Sequence, residues 1–317
     1  MRILGILDTL NGPGGAYDLR KDTSHLLLLE FHRRGHNVYL TDPGGLSVEE
    51  GSVFVVCQKI SVLEGAPYFD AGRPERKPAS DFRLILMRKD PPVDAAYLQA
   101  TRLLAMAPKG TWVCNHPDAL ARWNEKLVIL QFPRWIPPTI VSAEEPVLKE
   151  FARKLGGKIV LKVLTGFGGR GTHLAETDSP FWPQTVTTLT KDGREPLMAQ
   201  AFLPEIARGD KRIFLFDGKP LGALLRIPAA DGFLANPDLG ASIRPSALSA
   251  KEKRLCADLA PFLRKNGIFF AGIDVIGEKL TEINITSPGM LWEWNEVDGT
   301  AHEKAIVDLF ERKLRRS

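Results

Sequence analysis

Short apolar runs alternate with helix-like patterns over roughly the first 120 residues of the chain. Four apolar segments have the length of buried strands: 2–7, 38–40, 84–87 and 112–114. The stretch 22–34 carries a run of leucines, begins with an aspartate that can cap a helix, and is followed by Gly35 after a basic pair, which predicts a helix. This alternation of strands and helices predicts an α/β layer.

The pattern changes after about residue 121, where strands follow one another closely and helices are interspersed. Three prolines between 133 and 138 mark this passage. We therefore predict three units: an N-terminal α/β domain over 1–121, a middle unit over 122–198 and a C-terminal unit over 199–317. The segment 65–80, rich in glycine, proline and charge, is predicted to be an exposed loop.

Composition limits the function classes. The 42 Lys and Arg residues exceed the 38 Asp and Glu residues by only four, and this charge is too dispersed for a nucleic-acid-binding surface. Cys57, Cys114 and Cys256 are odd in number and far apart, so they predict neither a disulfide framework nor a zinc site. The N-terminus lacks a long apolar run. We expect a cytoplasmic protein with no membrane or nucleic-acid partner, acting on small molecules.

The most informative segment is 271–285, two alternating strands around a glycine-containing turn. If the turn centres on Glu278, then Asp274 lies directly across from Glu282. Asn284 shares the face of Glu282, because side chains along a strand alternate with a period of two. The apolar residues of both strands then face the core: Ile273, Val275, Ile283 and Ile285.

Two opposed carboxylates repel each other, and a cation between them removes the repulsion. Two acids and an amide oxygen are hard ligands, which Mg²⁺ or Mn²⁺ prefers. Asp274, Glu282 and Asn284 are therefore the predicted metal ligands. The alternative is a solvated edge hairpin whose acids are neutralised by Lys279 or another base.

A glycine-rich segment at 166–171 follows the apolar strand 158–163 and precedes a second strand. A dinucleotide-binding turn would open a helix instead, and no Walker A sequence is present. Such a hairpin can close over phosphates as a flap, although a flexible surface turn is the commoner case. Lys162 is a charge within an apolar strand, where a bound phosphate would offset its burial. Lys126 can supply a second charge, or be an ordinary solvated helix residue.

Two further segments carry candidate binding groups. The strand 197–204 can pair its backbone with an adenine edge while Met198 and Phe202 contact the ring, or those side chains can pack in the core. The hairpin 210–228 turns at Asp217 and Gly218. It carries Arg212 and Arg226 near the open ends of its strands, where guanidinium groups can clamp phosphate or carboxylate oxygens or simply face solvent.

Taken in order, these elements resemble the ATP-grasp superfamily, and more closely the bacterial glutathione synthetase family. The resemblance covers nearly the whole chain. It includes the motifs Lys-Asp-Thr-Ser at 21–24, Met-Arg-Lys-Asp-Pro-Pro at 87–92, Asn-Glu-Lys-Leu at 124–127 and Thr-Glu-Ile-Asn at 281–284. It implies an N-terminal α/β domain that binds substrate, then a two-part ATP-grasp fold with the nucleotide held between its two sheets.

The resemblance also implies residue roles and substrates. Arg212 and Arg226 would act at the reacting centre, and Asp274, Glu282 and Asn284 would bind magnesium. The nucleotide-binding residues would be Lys126, Lys162, Gly166, Gly168, Gly169, Gly171, Gln200, Ala201, Phe202, Leu203 and Asp210. The implied enzyme is a homo-oligomer that uses ATP to activate gamma-glutamylcysteine as an acyl phosphate and joins it to glycine, giving glutathione, ADP and phosphate.

One region departs from the family. Where members carry an Arg-Gly-Asn core after the segment 226–228, this chain has Phe233, Leu234, Ala235 and Asn236. Because Leu234 stands at the expected arginine, a ligase with a different acid or amine is an alternative, and a non-catalytic ATP-binding regulator is another. Trp292 or Trp294 can line an altered acceptor pocket, or both can be packing anchors.

Overall fold

The computed structural model describes residues 1–8, 19–230 and 232–316. Within these residues the strands form three sheets, of seven, four and five strands. No helix among these described ranges is long and apolar enough to cross a membrane. The observed architecture is a mixed α/β domain followed by two antiparallel sheets, which is the predicted fold class.

The first sheet is built from seven strands. They are β1 (Arg2–Ile6), β2 (Asn37–Thr41), β3 (Leu46–Glu49), β4 (Ser52–Val62), β5 (Phe69–Pro78), β6 (Leu84–Met87) and β7 (Trp112–Cys114). Its path runs β3-β4-β2-β1-β6-β7, with β5 paired to β4. Strands β2, β1, β6 and β7 are parallel, and buried apolar residues fill them as parallel strands covered on both faces require. The helices of this domain are α1 (Thr23–Arg33), α2 (Ala95–Leu104) and α3 (Pro117–Arg122).

Helix α1 forms as predicted. The Asp22 carboxylate accepts a hydrogen bond from the backbone N–H of His25 at 2.8 Å, which satisfies one of the free donors of the first turn. Gly35 follows the last turn with φ +78°, a conformation that glycine adopts at little cost. Residues of the leucine run and Phe31 form the buried face of the helix. The cap at Asp22 and the glycine at position 35 fix its two ends.

The prediction of an exposed loop over 65–80 was wrong for most of its length. Phe69–Pro78 is strand β5, which forms a long antiparallel hairpin with β4. Its glycine, prolines and charges are tolerated because β5 is an edge strand, most of whose residues are exposed. The pairing depends on β4, so the composition of 65–80 alone could not reveal it.

The second sheet contains four antiparallel strands in the order β10-β9-β11-β8. They are β8 (Thr139–Ser142), β9 (Lys158–Val163), β10 (Thr172–Glu176) and β11 (Leu197–Ala201), covered by α4 (Glu145–Lys154) and α5 (Trp182–Leu189). Leu161, Trp182 and Leu197 belong to its separate apolar core. The glycine-rich segment connects β9 to β10, as the sequence predicted.

The third sheet has the order β14-β13-β12-β15-β16. Its strands are β12 (Asp210–Phe216), β13 (Lys219–Ile227), β14 (Ser242–Ser246), β15 (Phe270–Ile276) and β16 (Lys279–Asn284). Its helices are α6 (Ala250–Lys265), α7 (Leu291–Asp298) and α8 (His302–Leu314). Short 3-10 turns complete the connections at Leu19–Lys21, Pro43–Gly45, Ala79–Asp81, Leu127–Gln131, Pro204–Arg208 and Pro237–Leu239.

Helix α8 brings the chain back to the first domain. Phe310 packs edge-on against Phe31 of α1 with ring centroids 5.9 Å apart. Arg34 pairs with Asp308 at 2.5 Å and with Glu311 at 3.2 Å. These contacts fasten α8 to α1 of the first domain. A cavity is lined by residues from all three parts of the fold.

Candidate active site

A single cavity of about 660 Å³ receives side chains from all three parts of the fold. The predicted site residues that line it are Lys126, Lys162, Gly166, Gly168, Gly169, Gln200, Ala201, Phe202, Leu203, Asp210, Arg212, Arg226, Asp274, Glu282 and Asn284. Gly171 is the exception. An added Cβ there would lie 3.0 Å from the Cβ of Val163, so Gly171 shapes the base of the flap beside β9.

The acid hairpin has the predicted pairing. Asp274 on β15 lies directly opposite Glu282 on β16. The two-residue turn falls at Gly277 and Glu278, half a residue earlier than predicted, and a register shift between Asp274 and Val275 restores the pairing. The predicted core-facing residues Ile273, Val275, Ile283 and Ile285 are buried.

Two arginines neutralise Asp274. Arg212 stands beside it in the β12–β15 register and binds it with two hydrogen bonds, from Nε at 2.6 Å and from Nη2 at 3.0 Å. Arg226 lies 3.1 Å from the same carboxylate. Burial alone would raise the pKa of Asp274, but the two guanidinium groups outweigh it and hold the pKa well below its usual range.

Glu282 is neutralised by Lys126, whose Nζ lies 3.1 Å from Oε1. Basic side chains therefore offset the repulsion between the two opposed acids. They are Lys126, Arg212 and Arg226 rather than Lys279. Asn284 joins the same cluster, donating from Nδ2 to Asp274 at 3.2 Å. The described residues contain no group of three or more His, Cys, Asp or Glu side chains placed to hold a metal. The two carboxylates and the amide are still oxygen donors of the kind that Mg²⁺ binds.

Both lysines lie in the cavity wall. Lys126 is buried, and its ammonium also donates to the carbonyl of Gly166 in the flap, so it is not a solvated helix residue. Lys162 donates to the carbonyl of Thr281 at 3.3 Å. Burial lowers the pKa of Lys162, while nearby Glu282 opposes that shift. A bound polyanion would supply the negative charge that offsets this burial.

The glycine-rich flap is a tight turn above these charges. The N–H of Gly166 donates to Val163, and that of Arg170 donates to Phe167. An added Cβ at Gly166 would lie 2.3 Å from the carbonyl oxygen of Arg170, so no larger residue fits there. Asn236, from the segment between β13 and β14, donates from Nδ2 to the carbonyl of Gly168, which joins the flap to a second covering segment.

The exit of β11 forms another side of the cavity. Its pairing with β8 ends at Gln200 and its pairing with β9 ends at Ala201. Phe202 and Leu203 continue along the cavity wall. Met198 is fully buried in the apolar core. The sequence left open whether Met198 and Phe202 contact a ligand or pack in the core. Met198 packs in the core, whereas Phe202 lines the cavity.

Asp210 and Arg226 are paired across β12 and β13. Their side chains approach to 2.5 Å. Burial raises the pKa of Asp210 to about 6 despite the opposing effect of Arg226. Burial alone would lower the pKa of Arg226, but Asp210 and Asp274 raise it, so the guanidinium stays charged.

Residues of the first domain line the cavity beside Ser287 and Pro288. Arg88 donates to Ser24 at 3.1 Å and to the carbonyl of Pro288 at 3.2 Å, and Asp90 accepts from Ser287 at 2.6 Å. The motif at 87–92 carries the family resemblance, but it predicts no individual role for Arg88 or Asp90. The sequence signal for them is a run of three charged side chains, Arg88, Lys89 and Asp90, directly after the buried strand β6.

The tryptophans after β16 do not line the cavity. Trp294 stacks on Phe214 with ring centroids 4.7 Å apart and on His302 with centroids 3.6 Å apart, so it is a packing anchor. Lys21 lies over the ring of Trp292 at 4.8 Å. The cavity is instead bordered by Phe233, Leu234 and Met290.

Comparison with known proteins agrees with this architecture. Residues 1–121 match the family model described as prokaryotic glutathione synthetase, N-terminal domain, and residues 125–299 match the model for prokaryotic glutathione synthetase, ATP-grasp domain. The glutathione synthetase of Parasynechococcus marenigrum is 42% identical over 289 residues, 91% of this chain and 92% of that protein. That of Xanthomonas campestris pv. campestris is 41% identical over 302 residues, 94% and 95% respectively.

Among solved structures, the crystal structure of D-cycloserine synthetase DcsG superposes with a TM-score of 0.68. The match covers 98% of this chain and 99% of that one at 15% sequence identity. At that identity the likeness concerns the fold.

Proposed function

The chain belongs to the prokaryotic glutathione synthetase family, and from that premise we propose that it joins gamma-glutamylcysteine to glycine with ATP. It is an ATP-grasp ligase. The observation that supports this reaction best is the meeting of four basic side chains and two opposed acids in one cavity beneath a glycine flap. The basic side chains are Lys126, Lys162, Arg212 and Arg226.

The proposed reaction has two steps. A carboxylate oxygen of the acid substrate attacks the terminal phosphorus of ATP, so that an acyl phosphate forms and ADP leaves. The amine of the second substrate then attacks the acyl carbon, loses a proton, and expels phosphate. No covalent nucleophile from the protein is needed, because catalysis of phosphoryl transfer consists of positioning and charge stabilisation.

Each cavity group has a proposed task in this reaction. Lys126 and Lys162 bind the nucleotide phosphates, and adenine lies against the segment 200–203. Arg212 and Arg226 stabilise negative charge at the reacting centre. Mg²⁺ or Mn²⁺, held by Asp274, Glu282 and Asn284, would neutralise phosphate charge and align the phosphoryl group. Asp210 fixes Arg226 through their ion pair.

Exclusion of water is the proposed task of the two covering segments. An acyl phosphate hydrolyses if water reaches it, so the cavity must close before the amine attacks. The flap and the segment 233–237 both border the cavity, and the hydrogen bond between Asn236 and Gly168 joins them. Closing one segment would therefore favour closing the other.

A second candidate keeps this chemistry but changes the acid or the amine. It is favoured by the apolar border of the acceptor end, where Phe233, Leu234 and Ala235 line the cavity. These side chains cannot pair with a substrate carboxylate. A non-catalytic ATP-binding regulator is less well supported, because the cavity carries groups for the transferred phosphoryl as well as for the nucleotide.

A phosphate-release assay over pairs of acids and amines separates these candidates. The proposal expects release with gamma-glutamylcysteine and glycine, and none when either is omitted. Turnover with another pair but not with this one would favour the second candidate.

The Glu282→Gln variant should lose turnover while retaining the fold, and unaltered catalysis would contradict the assigned metal site.

Assembly and location remain proposals that rest on the family. We propose a homo-oligomer that works in the cytoplasm on small molecules, without nucleic-acid or membrane partners. Light scattering of the purified enzyme measures the assembly, and a monomeric mass under assay conditions would contradict it.

A further inference from the structure

The segment 124–127 joins the phosphate-binding side of the cavity to the acid hairpin, and Glu125 makes most of that connection. Its carboxylate oxygen Oε1 accepts three hydrogen bonds: from the N–H of Ile285 at 2.6 Å, and from the N–H and hydroxyl of Thr286, both at 2.9 Å. Its backbone carbonyl accepts a fourth, from the N–H of Ile283 at 3.0 Å. One residue thus holds the chain from 283 to 286.

The position of β16 in its sheet explains why these bonds matter. β16 is the last strand of the third sheet and pairs with β15 on one side only. The N–H groups of Ile283 and Ile285 are two residues apart and point to the same side of the strand. Glu125 accepts both at the open edge, so it does there what a neighbouring strand would do.

Holding this edge fixes the cavity side chains on β16. Glu282 and Asn284 alternate with Ile283 and Ile285, so any slide or twist of the strand end would move them directly. Lys126 follows Glu125 in the chain and reaches Glu282 at 3.1 Å. The same short segment therefore places a phosphate-binding lysine and the acid that faces it.

The neighbouring residue secures the other side of this segment. Asn124 accepts the N–H groups of Lys126 at 3.0 Å and Leu127 at 3.1 Å, and donates to the carbonyl of Leu164 at 2.8 Å. The segment is thus tied to the strand end beside the flap by Asn124 and to the acid hairpin by Glu125. A side-chain carbonyl-type oxygen at the end of a long side chain is well suited to the latter task because it can accept several hydrogen bonds at once.

We infer that Glu125 is a positioning residue, which sets Lys126 and Glu282 against each other so that the cavity can bind ATP with its magnesium. This deepens the proposed function and rests on it for the identity of the nucleotide. The reach of the side chain from 125 to 285–286 is the essential property, and the negative charge is secondary.

Three substitutions separate reach from charge. Glu125→Gln retains the length and an oxygen that accepts hydrogen bonds, but loses the charge. Glu125→Asp retains the charge but is one methylene shorter, so its oxygen falls short of Thr286 while the backbone stays bound to Ile283. Glu125→Ala loses both. Glu303→Ala is the control, since Glu303 is also buried and accepts from Asn295 at 2.7 Å outside the cavity.

Equilibrium binding of MgATP is measured by calorimetry on each full-length variant, with thermal unfolding as the check on folding. The Gln variant should bind within about threefold of the wild type, and the Asp and Ala variants at least about tenfold more weakly. The control should bind as the wild type does. Asp binding at wild-type affinity, or Gln binding as weakly as Asp, would overturn the inference.

The same series distinguishes this inference from the proposed function. Binding is measured without acid or amine, so a wild type that binds MgATP but forms no amide refutes the ligase reaction only. A wild type that does not bind MgATP refutes both. KM values then give a second readout, since the Asp variant should raise the KM for ATP while leaving the KM for the acid substrate nearly unchanged.

Discussion

The Asp274→Ala variant tests whether the buried arginines of the cavity depend on the Asp274 carboxylate for their stability. In the wild type Asp274 is buried and receives two hydrogen bonds from Arg212 and an ion pair from Arg226. Removing the carboxylate leaves both guanidinium groups mostly buried in the cavity wall, with Asp210 still bound to Arg226. Arg212 loses its charged partner, and a buried charge without a partner is costly.

The expected loss of stability follows from that geometry. Removing one partner of a buried ion pair typically costs about 3–5 kcal/mol. The cavity is open enough for water to reach part of Arg212, which is 7% exposed, so the lower end of that range applies. A loss of about 3 kcal/mol shifts the folding equilibrium by roughly 150-fold, since each 1.4 kcal/mol is a factor of ten.

Urea unfolding at neutral pH measures this loss, and Glu150→Ala is the control. Glu150 forms an exposed pair with Lys154 at 2.6 Å on α4, and solvent-screened pairs of this kind contribute little to stability. If Asp274→Ala unfolded at the same urea concentration as the control, the arginines would not depend on Asp274, and the charge arrangement described here would be incorrect.

The pH dependence of this loss of stability is an independent test of the role of Asp274. The pKa of Asp274 is lowered in the folded protein from its ordinary value of 3.8. A lowered acid pKa contributes stability that is fully present above the unfolded value and is lost as pH falls through the folded one. The difference between the wild type and Asp274→Ala should therefore be constant above about pH 5 and shrink below about pH 4.

Three other predictions concern the nucleotide end. Gly166→Ala should weaken ATP binding by about tenfold or more, because its Cβ would meet a carbonyl at 2.3 Å, whereas Gly65→Ala, with open space around it, should bind normally in the same titration. Lys162→Met should raise the KM for ATP at least about tenfold and stabilise the free protein in thermal melts, since it removes a partly desolvated ammonium. Chelating divalent ions should abolish turnover, and added Mg²⁺ or Mn²⁺ should restore it; full activity in chelator would refute the metal requirement.

The acid hairpin could be predicted from the sequence because it is local. Strand alternation and a short turn were enough to place Asp274 opposite Glu282 and to turn the four apolar residues to the core. The sequence could not show what neutralises the acids. That depends on β12 lying beside β15 and on the register that sets Arg212 against Asp274, and such pairing of distant strands is not encoded in a local pattern.

The same reason explains the missed features. Strand β5 has the composition of a loop and becomes a strand only because β4 offers it a partner. The motif at 124–127 predicts no role for Glu125, because the partners of this residue lie about 160 residues away at 285 and 286. The sequence around Trp294 is compatible with a role in a pocket or in the core. The stacking of Trp294 on Phe214 and His302 shows that it packs in the core.

Transfer of oxygen from the acid substrate to phosphate tests the central claim most directly. Gamma-glutamylcysteine labelled with oxygen-18 in the carboxylate that reacts is incubated with the enzyme, ATP and glycine, and the released phosphate is analysed by mass spectrometry. Activation as an acyl phosphate predicts one labelled oxygen in each phosphate formed. Unlabelled phosphate, or label in AMP, would show that the carboxylate does not attack the terminal phosphoryl group and would contradict the account.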